Sequence, residues 1–369
     1  MKRLARRPAR RILETRDLQA GGLGGGKELA PRLGVVACEI AGGTHAGRLP
    51  KEWRAHHSPS GQARPSSVRW RLAPAGAFAH QCGVVSKVVL SIQSAVAYGH
   101  VGNAAAQPAL NRLGCDVWRV DTVAFSNHPG HGAFTGRVVP TDEVAALVRG
   151  LDDIGVLGRV DAVLSGYLGM AETAGAVVDA VERVRRQRSG ALYLLDPVIG
   201  DNGRTYVRAG VPEAIRDRLL PLADVAAPNP FELGWLTGQD IVDEASALAA
   251  GRALCRRLRK DGPAIVIATG VRQATDRLAT LAITRDGAWR ASAPFIARSF
   301  SGTGDLFAAL VLGWLLRDGS IGLALSRALA GLTAVLQATL AADADELKLI
   351  DMLDRIAAPV PLWPVEQIV

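Results

Sequence analysis

Apolar and polar positions divide the chain into two unlike parts. Up to residue 86 no helical or strand period is sustained, and glycine, proline and serine clusters such as AGGLGGGKEL and HHSPSGQARPSS recur. From Val88 onward, short apolar runs alternate with amphipathic stretches. VVLSIQS (88–94) is an unbroken run of strand length, as a strand buried on both faces requires, and NAAAQPALNRLG (103–114) follows as a helix despite Pro108. The same reading predicts strands over 116–125, 161–168, 191–196, 223–229 and 264–269. Helices are predicted over 141–155 (capped by Thr141), 171–187, 230–238 and 244–260. LATLAIT (278–284) and AWRASA (288–293) flank Asp286-Gly287 and predict a hairpin, and three helices close the chain.

Strands alternating with helices predict an α/β fold: a central, mostly parallel sheet covered by helices on both faces. One domain is expected over 87–369, preceded by a basic, disordered extension over 1–86. GGLGGGKE (21–28) nearly fits a phosphate-binding P-loop, but Glu28 stands where a magnesium-ligating hydroxyl is needed and no buried strand precedes it.

Charge supports the division. Residues 1–86 hold 15 Lys/Arg against 5 Asp/Glu, a balance of +10, whereas the remainder holds 28 against 30, a balance of −2. The net charge of +8 therefore belongs to the extension, and a nucleic-acid partner for the folded body has no support. The longest uninterrupted apolar run, near 306–316, has the length of a core helix, so no membrane partner is expected. The basic N-terminus lacks the apolar stretch of a secretory leader; its Arg-rich character leaves an organelle-type presequence open. Cys38, Cys82, Cys115 and Cys255 are far apart with no zinc-type spacing, which predicts a reducing, cytoplasmic setting and no structural metal.

Candidate chemistry lies after the strands, where open α/β sheets bind ligands. Ser94 ends the first strand, and Gly99, Gly102 and Asn103 mark the turn into the next helix, although a plain connecting loop would explain them. FSNHPGHGAFTG (125–136) suits a polar aromatic ligand, with loop hydrogen bonding as the alternative for His128 and His131. Asp196 and Asp201 lie five residues apart and suit magnesium, or Asp196 caps a turn before Pro197. Asn229, Pro230 and Glu232 read as a helix cap, and Glu232 also suits a magnesium-bound water. In SFSGTGDLFAALVLGWLL (299–316), Gly302 and Gly304 leave backbone N–H groups free to close on an anion at a helix start. Asp305 beside such an anion makes sense as the base that takes a hydroxyl proton during phosphoryl transfer; otherwise it is part of an ordinary glycine-flanked helix start.

Taken in order, SIQSxVxxGxVGNxAA, FSNH, VLSGYLG, DPVxGD, APNxFE and GTGD resemble the pyridoxal kinases of the ribokinase-like superfamily, over about residues 87–360. The resemblance implies ATP-dependent phosphorylation of the 5′-hydroxyl of pyridoxal, pyridoxine or pyridoxamine, with Mg²⁺, often K⁺, and a homodimer. Carried over by motif, Asp305 is the base and Gly302, Thr303 and Gly304 form the anion hole. Ser94 meets the pyridine nitrogen, Val123, Phe125 and Tyr167 wall the ring, and His128 belongs to the substrate side. Asp196, Asp201 and Glu232 handle magnesium and its waters, while Asn229, Thr269 and Tyr206 lie along the nucleotide, Tyr206 on a flap over 201–210. Two positions depart from the family pattern: Ala95 replaces a His and Pro129 a Thr, both near the vitamer, which puts substrate preference in question. A hydroxymethylpyrimidine kinase shares GTGD, but FSNH and Tyr167 argue against it. A non-catalytic pyridoxal-binding protein would be expected to lose Asp305 or the magnesium acids, and all are present.

Overall fold

The computed structural model describes residues 86–273 and 276–368. The near P-loop at 21–28, Cys38, Cys82 and the extension over 1–86, save its last residue, lie outside them. In chain order the strands are β1 (Lys87–Tyr98), β2 (Cys115–Asn127), β3 (Gly136–Val138), β4 (Val160–Ser165), β5 (Leu192–Leu195), β6 (Gly200–Asp201), β7 (Arg204–Thr205), β8 (Val225–Ala226), β9 (Ile265–Arg272), β10 (Arg277–Ile283), β11 (Ala288–Pro294) and β12 (Val365–Gln367). The helices are α1 (Asn103–Arg112), α2 (Thr141–Asp153), α3 (Thr173–Gln187), α4 (Val211–Ala214), α5 (Pro230–Thr237), α6 (Glu244–Cys255), α7 (Thr303–Asp318), α8 (Ile321–Ala341) and α9 (Leu353–Ala357).

Ten strands form one sheet in the order β12-β11-β10-β9-β8-β5-β4-β1-β2-β3, and β6 and β7 pair as a separate ribbon. The six strands from β9 to β2 are mutually parallel; β10, β11 and β12 extend one edge antiparallel, and β3 the other. Alternation along β1 shows how the faces are filled. Val88, Leu90 and Ile92 enter the core shared with α2, α3, α5 and α6, while Val89 enters the core shared with α1, α7 and α8. In α7 every residue from Leu306 to Leu315 is buried, because α1 and α8 pack on it while it also faces the sheet.

The sheet and its two helical layers agree with the predicted class, and several boundaries differ. β1 runs four residues beyond Ser94, so this serine lies inside the strand. Two residues of β2, Thr122 and Val123, stand opposite it as a bulge between the pairs Gln93–Asp121 and Ala95–Ala124. Thr141 does not cap α2; it is the first helical residue after Pro140, its hydroxyl 3.4 Å from that of Thr173. α6 stops at Cys255, short of 260, and β8 is only two residues long, because the chain leaves the sheet to build the Asn229 cap. No expectation from the sequence covers β3, β6, β7, α4 or β12; each is too short to display a period. α8 is long and apolar enough to cross a membrane by length and composition, although Ser326, Arg327 and Thr333 interrupt its apolar run. Its Ala324, Leu325, Ala328 and Val335 are buried in the core shared with α7.

Candidate active site

The carboxyl ends of the parallel strands carry most of the predicted site. Tyr167 follows β4, Asp196 follows β5, Asn229 follows β8, and Thr269 lies within β9 with its backbone N–H donating to the Pro228 carbonyl at 3.0 Å. The loop from β1 to α1 is fixed from beneath by Asn103. This buried first residue of α1 accepts from the Ser91 hydroxyl at 2.7 Å and donates to the Val120 carbonyl at 3.2 Å and to Asp121 at 2.8 Å. The anchoring holds Gly102 so close to Ser94 that a Cβ would run into the serine carbonyl and hydroxyl, and its φ of +52° favours glycine as well.

α7 begins without any side-chain cap. Gly302 occupies the N-cap position at φ +84°, where a Cβ would strike the His100 carbonyl oxygen, and Gly304 is open to solvent. The Thr303 hydroxyl turns back to donate to the Phe300 carbonyl at 2.8 Å. First-turn N–H groups without a capping side chain, at the positive end of a sixteen-residue helix, suit an anion. A glycine at the N-cap is equally what an ordinary glycine-flanked helix start has.

Asp305 is the acidic residue of that first turn. Burial pushes its carboxyl up, and a hydrogen bond from the Gly102 amide pulls it back. Asp196 is raised further, by burial first and then by the negative fields of Asp305 and Glu232. Glu232 is pushed up to about 8 by burial, against hydrogen bonds from the amides of Ile199, Asn229 and Gly200 and with a push from Asp201. Among the described residues, no Lys, Arg or His forms a salt bridge with any of these three carboxylates. Acids that crowd one another without a counter-charge are a donor set suited to a hard divalent ion such as Mg²⁺.

The cap at α5 is also present. Asn229 accepts from the Glu232 amide and Glu232 from the Asn229 amide, each at 3.0 Å, so Glu232 closes a capping box while its other oxygen holds the Ile199 amide at 3.0 Å. Asn229 donates to the Gly200 carbonyl at 2.8 Å, which ties α5 to the β6–β7 ribbon. Asp201 sits on that ribbon and is exposed, accepting from the Asn202 amide at 2.8 Å. Tyr206, just after the ribbon, is exposed, and its phenol is raised by partial burial and by the fields of Glu232, Asp196, Asp305 and Asp201. The ribbon thus brings Tyr206 and Asp201 within electrostatic reach of the buried acids.

At the β1–β2 pair, the bulge sets Val123, fully buried, opposite Ser94, and the Thr122 hydroxyl donates to the Tyr167 carbonyl at 2.6 Å. Burial raises the Tyr167 phenol while Arg208 pulls it down. Phe125 stacks at 4.7 Å on Phe134, and Pro129–His131 form one helical turn. His128 is buried: its Nδ1 accepts from the Gly130 amide at 3.1 Å and its Nε2 lies 2.6 Å from Glu346. His131 Nε2 lies 2.5 Å from the same oxygen. Glu346 lies outside every sequence motif, and nothing in DADELKLI singled it out.

Residues 136–348 match the phosphomethylpyrimidine kinase family. The chain is 42% identical over 285 residues to pyridoxal kinase PdxY of Rubrobacter xylanophilus, covering 76% of this chain and 97% of that protein. It is 44% identical over 286 residues to pyridoxal kinase PdxY of Deinococcus radiodurans, covering 76% and 96%. The fold is similar to that of the Leishmania donovani pyridoxal kinase in complex with ADP and pyridoxine, with a TM-score of 0.72 at 30% identity, over 76% of this chain and 99% of that one. By identity, coverage and fold alike, the chain belongs to the pyridoxal kinase family.

Proposed function

We propose that this protein transfers the γ-phosphoryl group of ATP to the 5′-hydroxyl of a B6 vitamer. The observation that carries the reading is Asp305: a half-buried carboxylate, its proton affinity raised by desolvation, set in the uncapped first turn of α7. A carboxylate placed there accepts the proton of an attacking hydroxymethyl group, and its raised affinity makes it a better acceptor. The N–H groups of Gly302, Thr303 and Gly304 would face the phosphoryl oxygens, where preorganised donors offset developing charge. Ser94, Val123, Phe125, Tyr167 and His128 form the vitamer side in this reading, and Asn229, Thr269 and Tyr206 the nucleotide side.

Asp196, Glu232 and Asp201 would hold Mg²⁺ directly or through waters, and the ion would neutralise negative charge on the phosphates when bound. Supporting this is the mutual repulsion of these acids, which no salt bridge among the described residues relieves. A K⁺ requirement, a homodimer and a cytoplasmic location belong to the same reading and rest on the family resemblance. The phosphomethylpyrimidine kinase match fits the shared fold, while the relatives at 42% and 44% identity point to the vitamer. The test is purified protein with Mg²⁺ and ATP and, separately, pyridoxal, pyridoxine, pyridoxamine and hydroxymethylpyrimidine. Formation of a vitamer 5′-phosphate is expected; product from hydroxymethylpyrimidine alone would overturn the assignment.

A further inference from the structure

Glu346 stands after α8 and far from every motif, yet three donors converge on it. His128 Nε2 approaches Oε1 at 2.6 Å and His131 Nε2 approaches the same oxygen at 2.5 Å, while the His100 amide donates to Oε2 at 3.0 Å. The first two donors belong to the turn after β2, the third to the loop between β1 and α1. That loop also carries the amide that holds Asp305. The segment around Glu346 has a second fastening. Arg298, just ahead of α7, pairs with Asp343 and Asp345, each at 2.8 Å. The 128–131 turn itself rests against the α7 start, since a Cβ on Gly130 would lie 3.2 Å from the Ser301 hydroxyl. The turn over 343–346 therefore straps together the vitamer-side turn, the β1–α1 loop and the approach to the anion-binding turn.

We propose that Glu346 is a positioning residue that clasps the 128–131 turn over the vitamer side of the site and so sets the affinity for the vitamer. The proposal rests on the kinase reading above. Burial opposes ionisation of Glu346, but the bonds from His131, His128 and the His100 amide outweigh it and hold the carboxyl below its ordinary range. The clasp therefore stays charged and accepting at neutral pH. Without it, the turn would keep its local bonds: His131 N–H to the His128 carbonyl at 3.2 Å, Gly132 N–H to the Pro129 carbonyl at 2.9 Å, the Gly130 amide to His128 Nδ1 at 3.1 Å, those of Asn127 to the His128 and Ala133 carbonyls, and the Ser126–Thr135 pair that closes the loop.

The same three side chains could hold a transition metal, since their ligand atoms lie within 4.8 Å of one another and two His with one Glu is a zinc donor set. Proton placement favours the clasp. The Gly130 amide donates to His128 Nδ1, so the ring proton is on Nε2, and that nitrogen is a donor toward Glu346 with no lone pair for a metal.

The experiment compares wild type with Glu346→Ala, Glu346→Gln and His131→Gln, measuring KM for pyridoxal and for ATP, kcat, and equilibrium pyridoxal binding. Glu346→Ala is expected to raise KM and Kd for pyridoxal about tenfold, with kcat and the ATP KM within about twofold of wild type. Glu346→Gln should recover part of the loss, because its amide oxygen still accepts one imidazole N–H. Adding His131→Gln to Glu346→Ala should cost little more than Glu346→Ala alone. If Glu346→Ala fails to fold, His131→Gln carries the same comparison at smaller size. A pyridoxal affinity unchanged in the folded variants, or an equal loss for ATP and pyridoxal, overturns the proposal. So does a visible Co²⁺ ligand-field band in chelator-treated wild type that both Glu346→Ala and His131→Gln abolish, which would make the cluster a metal site. If wild type forms no vitamer phosphate, the kinase reading fails separately, and pyridoxal binding still judges the clasp.

Discussion

Removing divalent ions and raising the pH should destabilise this protein, and the buried acids set the size of the effect. Glu232 titrates near 8 in the folded chain against an ordinary 4.5, and burial is the main cause. A carboxyl raised on folding keeps a proton that the unfolded chain has already released. Its stabilising contribution is therefore complete at the acid end and is lost as pH rises through the window from 4.5 to about 8. At about 1.4 kcal/mol per unit, the gap amounts to a ceiling of about 5 kcal/mol for this group. Asp196 and Asp305 are shifted in the same direction, so they steepen the fall. With about 2–4 °C per kcal/mol for a chain of this size, the melting temperature of the metal-free protein should drop by several degrees between about pH 5 and pH 8. Excess Mg²⁺ with a non-hydrolysable ATP analogue should restore most of it at the upper end. Other groups titrate in the same range, so the decisive comparison is Asp196→Asn, which removes one buried charge and should flatten the slope and raise the melting temperature at pH 8. Scanning fluorimetry of both proteins across the range measures this. Parallel curves for wild type and Asp196→Asn would refute the argument that crowded acids are the source.

Asp305→Asn should lower kcat by roughly 10²–10⁴ while ATP affinity, read by calorimetry, is nearly unchanged; turnover within threefold of wild type would remove the residue from the base role. Ser94→Ala should weaken pyridoxal binding by about 2–13-fold, the equivalent of 0.5–1.5 kcal/mol, and leave ATP binding alone. Equal weakening of both ligands would point to a damaged loop instead. Asp224, fully buried, joins Arg185 and Arg259 at 2.6 Å each and accepts the Tyr193 amide at 2.8 Å, so Asp224→Ala should cost about 3–5 kcal/mol in chemical unfolding by leaving two guanidinium groups uncompensated. Deleting residues 1–86 should leave kinase activity and melting temperature essentially intact, because β1 starts at Lys87 and the sequence before it carries a +10 balance with little apolar periodicity; a markedly lower melting temperature would place the domain boundary elsewhere.

Much of the sheet was legible because its strands are buried on both faces and therefore appear as unbroken apolar runs, β1, β4 and β9 most clearly. The hairpin of β10 and β11 was legible from Asp286-Gly287 between two such runs. What failed is short or depends on partners distant in the chain. β12 has three residues and exists because β11 offers it an edge, and the bulge opposite Ser94 is a property of two strands together. The site divides in the same way. Asp196, Glu232 and Asp305 announce themselves in local motifs, since each must meet a strand end or a helix start. Glu346 has no local signature, because its role comes from a fold that returns residue 346 to residues 100, 128 and 131. The even choice between ligand contact and loop hydrogen bonding for His131 could not be made from sequence for that reason.

The position of Asp305 shows why a motif so short can be so informative. It is the third residue of α7, where the positive helix end and a backbone amide both favour the charged carboxylate. At an exposed helix start those two influences would leave a weak base with a low proton affinity. Here burial opposes them and prevails, so the group ends above its ordinary range while it still has a donor to fix its direction. The glycines make this balance possible. Gly102 must approach Ser94 and offer its amide to Asp305, and Gly302 must pass against the His100 carbonyl at a positive φ. A side chain at either position would separate the β1–α1 loop from α7 and expose the half-buried carboxylate further. The desolvation that raises its proton affinity would then weaken, and with it the property that would suit Asp305 to take a proton from a hydroxyl.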